Sequence, residues 1–326
     1  MTIEDEFLQT AIKQQLNETQ DENLQRKIRH LTALTTDNDS IVSLNGLELA
    51  KNLVHLSIPN SKIVDLEPLR SMSNLKVLNI NVHKIKNLAN LSNLVNLQKL
   101  TLHCLGNKAL EDLTSLGNIH HLQANNITEL NLDVLGHFGS LKTLDLEQSN
   151  NTSITEGSLP NSLENLRLKN CNISNLRPFM HLSRLQHLNL NENHIFNIYP
   201  ISKLTSLTGI DLEGNEFSDI SAISPLSNLS WLRLTRNEIA DLSPLTTLKN
   251  LDTLDVSSNE ISNLDPLAKV PSLSWIGLAF NKIRDLSPLN SLPKLSYIDI
   301  EGNHFNHQTT RIHIPRLIER GIQVVE

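Results

Sequence analysis

The sequence predicts an α/β solenoid, in which short repeated units stack along one axis. Counting in steps of 22 reaches an apolar residue thirteen times without an insertion. A constant period of this length is typical of stacked supersecondary units. Regular alternation of apolar and polar residues within each unit, and an asparagine that recurs in the second half of the chain, support the same fold. The thirteen positions are Leu31, Leu53, Leu75, Leu97, Ile119, Leu141, Leu163, Leu185, Leu207, Leu229, Leu251, Leu273 and Leu295.

The alternation predicts one short strand in each unit. We number the positions of a unit as slots, with the thirteen residues above at slot 1. Slots 4 and 6 are apolar, as in Leu232 and Leu234. A period of two points these slots inward and turns slots 3, 5 and 7 to the other side of the strand. One unit cannot bury its own apolar side, so we expect a horseshoe or arc with a parallel sheet of about 13 short strands on its concave face.

Slot 9 follows the strand and holds asparagine in the last six units, from Asn193 to Asn303. Its amide is expected to satisfy backbone groups of the turn that leaves the strand. In earlier units we expect less regular turns near Leu105, Ile127 and Ser149, and a modified convex side for "NNTSITEGSLPNS". We interpret Cys171, also at slot 9, as a buried structural substitute. The second half of a unit, such as "EIADLSPLTTLKN" at 238–250, predicts a turn of 3₁₀ helix or extended chain on the convex side.

The pattern LxxLxLxxN, with "DLSPL", "NLDPL" and "DLEPL", resembles the leucine-rich repeats of bacterial internalin-type proteins. It is similar, more distantly, to the phosphatase-regulating eukaryotic proteins of the same repeat length. The resemblance covers about residues 31–305. It implies a leucine-rich repeat fold with a helical amino-terminal cap, and a protein partner bound on the concave face.

Both ends of a solenoid need caps, because an open end exposes core and strand edge. We predict one domain, 1–326, with a helical cap at 1–30, thirteen repeats at 31–305 and a short cap at 306–326. Two apolar stripes at helical spacing predict the first cap: Ile3, Phe7, Leu8, Ala11, Ile12 and Leu16, then Leu24, Ile28 and Leu31. "RIHIPRLIERGIQVVE" predicts a short helix, ended by Gly321, and a final strand.

Composition excludes several classes of partner. The formal charge is −7 and no run of Lys or Arg occurs, so we expect no nucleic-acid binding. No apolar run is long enough to insert in a membrane. The start, "MTIEDEFLQT", lacks the basic and apolar regions of a signal peptide. We therefore expect a protein that is cytoplasmic, or exported by a route without a cleaved signal, including delivery into a host cell. We also expect a monomer.

No motif for catalysis is present, and we predict neither an enzyme nor a cofactor. One set of histidines suggests a metal site: His103 and His121, with His83 and His120 nearby. Neighbouring strands lie about 4.8 Å apart, so two rings on adjacent strands could share a metal ion. Histidines on a polar, solvated face are more simply ordinary side chains, and we predict no metal site.

The outward slots of the later units predict a binding surface. Trp231 and Trp275, the chain's only tryptophans, both occupy slot 3. Two strand spacings place them roughly 10 Å apart, with Tyr297 one strand beyond, as a short aromatic ridge. We also expect a shallow dip at Gly277. The charged residues that border the ridge are Arg233, Asp211, Asp255, Asp299, Glu213 and Glu301.

Trp, Tyr and Arg dominate the energetics of protein interfaces. The aromatic and acidic patch therefore predicts a non-enzymatic module that binds a partner protein, as a scaffold or a bacterial effector. The alternative is a regulatory subunit that holds an enzyme such as a Ser/Thr phosphatase.

Overall fold

The computed structural model describes residues 3–86, 88–106, 110–149 and 152–326, except for the side chains of residues 21–23 and 130. The chain contains two compact units, Met1–Leu163 and Glu164–Glu326. Each of the thirteen repeats contributes one strand to a parallel sheet, and every one of these strands begins at slot 3. The solenoid and its parallel strands are thus confirmed within each unit, whereas the single 1–326 domain stays a prediction.

The first unit begins with helices α1 (Glu6–Leu16) and α2 (Asp21–Lys27). Its eight strands are β1 (Ala33–Thr35), β2 (His55–Ile58), β3 (Val77–Asn81), β4 (Lys99–His103), β5 (His121–Ile127), β6 (Leu130–Asn131), β7 (Thr143–Ser149) and β8 (Thr152–Ser153). Six of them pair in parallel in the order β1-β2-β3-β4-β5-β7, and β6 pairs with β8. The pairing register is 22 residues, as in Ala33 with His55, so each slot forms a column across the strands.

The second unit has strands β9 (Asn165–Lys169), β10 (His187–Asn189), β11 (Gly209–Asp211), β12 (Trp231–Arg233), β13 (Thr253–Asp255), β14 (Trp275–Gly277), β15 (Tyr297–Asp299) and β16 (Gln323–Val325). They pair in parallel in chain order, again with a 22-residue register up to β15. Slots 4 and 6 are buried in the core, as Leu232 and Leu234 show. A short 3₁₀ helix follows the strand in each repeat from β9 to β14, for example Ser243–Thr247, which confirms the 3₁₀ prediction.

The slot 9 asparagines hold the turns as predicted. Asn259 Nδ2 donates to three carbonyl oxygens, those of Leu234, Val256 and Ser257, at 3.0–3.1 Å. Its Oδ1 accepts from the N–H of Ile239 at 3.0 Å. One side chain therefore links two consecutive repeats. Cys171 is fully buried at the same slot, which confirms its structural interpretation.

The middle repeats are less regular, as expected. Strands β5 and β7 extend to Ile127 and Ser149, which pair with each other where other repeats turn. Beyond them lies the additional β6–β8 pair, and Asp133 Oδ1 accepts from both the N–H and the hydroxyl of Thr155. The segment 150–162 thus carries a short strand and a side-chain bridge; Asn150 and Asn151 lie outside the described residues.

The amino-terminal cap packs as predicted with one exception. Leu8, Ala11 and Ile12 of α1 are buried, but Phe7 is 41% exposed and does not belong to the apolar stripe. Asp5 caps α1, and its carboxylate accepts four backbone N–H groups, two in the helix and two in the first repeat, at Val42 and Ser43. This carboxylate therefore joins the cap to the first repeat.

The carboxyl-terminal cap is confirmed. Helix α3 (Ile314–Glu319) is followed by Gly321 with φ +80°, whose N–H donates to the carbonyl of Ile318. Strand β16 then pairs with β15 and covers the edge of the last repeat.

Candidate functional site

Slots 3, 5 and 7 of the second unit form a polar and aromatic surface on the side of the strands away from the core, which we call the outward face. The register places Trp231 beside Gly209 on one side and Thr253 on the other. Trp275 lies between Thr253 and Tyr297. The two tryptophans are therefore two strands apart, as predicted, which corresponds to roughly 10 Å between their backbones.

The aromatic rings form two separate stacks. Trp275 and Tyr297 are stacked with ring centroids 5.1 Å apart and planes within 3°. Trp231 leans the other way, across Gly209, and stacks on His187 at 6.2 Å and 17°. A Cβ at residue 209 would overlap the indole, so glycine is required for this arrangement. The single ridge expected from the sequence is thus wrong, because Thr253 separates the stacks.

A cleft of about 480 Å³ lies between the two stacks, within the usual size of ligand-binding clefts. Both indoles line this cleft. The predicted site residues that it brings together are Trp231, Trp275, Arg233, Asp211 and Asp255, and the structure adds Arg167, Asn189 and Thr253.

The charges on the floor of the cleft are largely paired. Arg233 Nη1 lies 3.4 Å from Asp211 Oδ2, and its Nε lies 3.9 Å from Asp255 Oδ2. Asp211 Oδ2 also accepts from the side chains of Asn191 at 3.0 Å and Asn189 at 3.5 Å. The Asp211 side chain is only 8% exposed, whereas that of Arg233 is 51% exposed. The floor therefore presents a guanidinium group to solvent, whereas the sequence predicted an aromatic and acidic patch that includes Arg233.

The expected dip at Gly277 is filled. Asp255 leans over this glycine, so that a Cβ there would lie 2.5 Å from Asp255 Oδ1. The same oxygen accepts from the hydroxyl of Ser257 at 2.8 Å and from its N–H at 3.2 Å. Glycine at this position therefore holds a carboxylate in place instead of opening a depression.

Comparison with known proteins supports the architecture. A family model described as "Leucine Rich repeats (2 copies)" matches residues 227–269. The crystal structure of an internalin, InlF, from Listeria monocytogenes is 24% identical over 90% of this chain and 94% of its own, with a TM-score of 0.76. The chain has a leucine-rich repeat fold of internalin type. The functional domain of InlJ from the same organism is 21% identical over 86% of this chain and 65% of its own, with a TM-score of 0.68.

More distant leucine-rich repeat structures share the fold as well. The plant peptide hormone receptor RGFR1, solved in complex with RGF2, is 19% identical over 80% of this chain and 53% of its own, with a TM-score of 0.56. No curated protein matches the chain. Leucine-rich repeat proteins such as internalins generally mediate protein–protein interaction, and they are typically not enzymes.

Four of the predicted site residues of this leucine-rich repeat chain lie outside the cleft. Tyr297 contributes through its stack with Trp275. Glu213 forms an ion pair with Arg236 at 3.1 Å. Asp299 Oδ1 accepts from the N–H of Glu301 at 3.2 Å, and neither carboxylate has a cation within ion-pair distance among the described residues.

Sequence reasoning missed His187, Arg167 and Thr253 as members of the site. The sequence contains one indication of this arrangement, which is Gly209 at slot 3. A residue without a side chain lets a large ring on the next strand lean across it. Phe280 was missed as well; it is 54% exposed at slot 8 and its ring lies over Gly302.

The histidine pair of the first unit does not form a shared site. His121 pairs with Lys99, which places His103 four residues further along the neighbouring strand, about 13 Å away. His103 Nε2 instead hydrogen-bonds Asn79 Oδ1 at 2.8 Å. Burial lowers the pKa of both histidines. Within the described residues, no group of three or more potential ligands could hold a metal ion, and no helix has the length and apolar character needed to span a bilayer.

Proposed function

We propose that this chain binds a partner protein on the outward face of strands β10–β15, as a scaffold or a bacterial effector. One observation carries the proposal: the only two tryptophans of the chain are partly exposed on a polar surface and line the same cleft. Core packing does not need them, because leucine and isoleucine fill slots 4 and 6 of the same repeats. Solenoids commonly bind partners on this face of the sheet.

The arrangement has the features of an interface centre. Aromatic rings and an arginine are the side chains that most often contribute about 2 kcal/mol or more each to protein binding. The stacks hold both indoles in fixed orientations, so little side-chain entropy is lost on binding. Arg233 is held from both sides by Asp211 and Asp255 and is likewise ordered before a partner arrives.

Affinity purification with the Trp231→Ala/Trp275→Ala double variant tests this function. The wild-type chain is expected to capture a defined partner that the double variant does not capture, while the double variant stays folded and its unfolding temperature falls by only a few degrees from the loss of the two stacks. The matched control is Phe196→Ala/Tyr199→Ala, which removes two rings that are 69% and 61% exposed outside the strands. Intact capture with a large loss of stability would give the tryptophans a packing role and contradict the proposal.

A further inference from the structure

The floor of the cleft has spare hydrogen-bond donors and few spare acceptors. Asp211 accepts from Arg233, two asparagine side chains and the N–H of Glu213. Asp255 Oδ1 accepts twice from Ser257. A guanidinium has five N–H donors, and the contacts of Arg233 with the carboxylates involve only its Nη1 and Nε. A ligand that fits this floor should therefore be rich in acceptors and poor in donors.

The cleft carries no net formal charge, since Arg167 and Arg233 offset Asp211 and Asp255. A cationic side chain in the cleft would meet two exposed guanidinium groups. An anionic side chain would lie above the two carboxylates. Because a charge of either sign is opposed by part of the floor, the balance favours an uncharged occupant.

Two aromatic side chains border the cleft. Trp231 and Trp275 stand on either side of Thr253, and their backbones are two strand spacings, roughly 10 Å, apart. Trp231 leans away from the cleft, toward His187, which widens the gap. A compact ring can thus enter between the two indoles.

We propose that the cleft binds a proline-rich segment of the partner in polyproline II conformation, an inference that rests on the proposed function. A proline ring lies between the indoles over Thr253, and a main-chain carbonyl accepts from Arg233. Proline supplies a carbonyl acceptor without an N–H donor, as the floor requires. Polyproline II has no internal hydrogen bonds and is already ordered, so its carbonyls are free and binding costs little entropy.

Titration with short synthetic peptides tests the proposal. The probe is an Ala-Pro-Pro repeat peptide, and the comparison peptides replace its prolines by alanine, or add glutamate or arginine. Tryptophan fluorescence reports binding directly, because both indoles of the chain border the cleft. The proline peptide is expected to bind and to quench or shift the emission, while the alanine peptide does not. Preferred binding of the acidic or the basic peptide, or of none, would overturn the proposal.

Two variants and one control variant locate the binding. Thr253→Phe fills the cleft and is expected to weaken binding of the proline peptide about 30-fold, the equivalent of losing about 2 kcal/mol. Thr143→Phe makes the same change at slot 3 in the first unit and should bind the peptide like the wild type. Arg233→Lys keeps the charge but removes the planar fork, and weaker binding is again expected. Circular dichroism confirms that each variant is folded.

The two proposals fail in different ways. Partner capture that depends on both tryptophans, together with no affinity for the proline peptide, would overturn the proline specificity and leave protein binding intact. Proline-peptide binding that persists unchanged in Thr253→Phe would also overturn the proposed location.

Discussion

The indole of Trp231 lies over Gly209, on the space that a Cβ of residue 209 would occupy. This contact spans a strand, because the ring reaches His187 on the far side of the glycine. The orientation of one tryptophan, and hence the width of the cleft, thus depends on the absence of a side chain on its neighbour.

Gly209→Ala is expected to push the Trp231 indole off His187 and into the cleft. The lost stack corresponds to about 1 kcal/mol of stability, a decrease of a few degrees in the unfolding temperature. Tryptophan emission should shift, and partner capture should fall. Gly139→Ala is the matched control, since a Cβ there would contact nothing within 4 Å. Unchanged emission in Gly209→Ala would show that the orientation of Trp231 does not depend on glycine at residue 209.

The positions of the strands could be predicted from the sequence because units of equal length and equal apolar pattern stack with the same slots paired. Each strand begins at slot 3. Alternation assigned slots 4 and 6 to the core, and every residue at these slots in the second unit is buried. Alternation states on which side of a strand a side chain lies, but not how it leans across its neighbours. Trp231 leaning over Gly209, and Asp255 over Gly277, therefore required the structure.

Charge at the site was mispredicted for a related reason. Asp211 and Arg233 occupy the same column, and the sequence shows both as outward residues. Only their contacts show that Asp211 is 8% exposed beneath a half-exposed arginine. Exposure of an outward side chain depends on its neighbours in three or four strands, which a single repeat does not encode.

Asn259→Ala is expected to destabilise the chain by about 3 kcal/mol. The change leaves three carbonyls and the N–H of Ile239 without the side chain that bonds them in a buried turn. Urea unfolding measures the loss. Asn250→Ala removes one exposed bond, to the carbonyl of Ser227, and should cost less than about 1 kcal/mol. Equal losses for the two variants would show that the buried hydrogen bonds of Asn259 contribute no more stability than the one exposed bond of Asn250.

Asp5→Ala is expected to loosen the amino-terminal cap and to lower the free energy of unfolding by about 2–3 kcal/mol. It removes the cap of α1, typically worth about 1 kcal/mol, and leaves the N–H groups of Val42 and Ser43 without their acceptor. Faster proteolysis near the amino end should accompany the loss. Glu4→Ala, which removes a single exposed bond to Asn45, is the control and should resemble the wild type.

The stability of the chain should fall as the pH drops below about 6.5, in part because of His121. Burial lowers the pKa of this imidazole, and the charge of Lys99 lowers it further. The unfolded chain therefore binds a proton at a higher pH than the folded chain. Above pH 6.5 both states are neutral and the group contributes nothing; as the pH falls below 6.5, protonation favours the unfolded state.

His121→Gln should reduce this dependence. The urea midpoint of the wild type is expected to fall more between about pH 7.5 and about pH 5 than that of the variant. His120→Gln changes the exposed neighbour in the sequence and should keep the wild-type profile. The carboxylates are the same in all three proteins, so the difference between the profiles isolates His121. Parallel profiles for all three would show that protonation of His121 is not linked to folding.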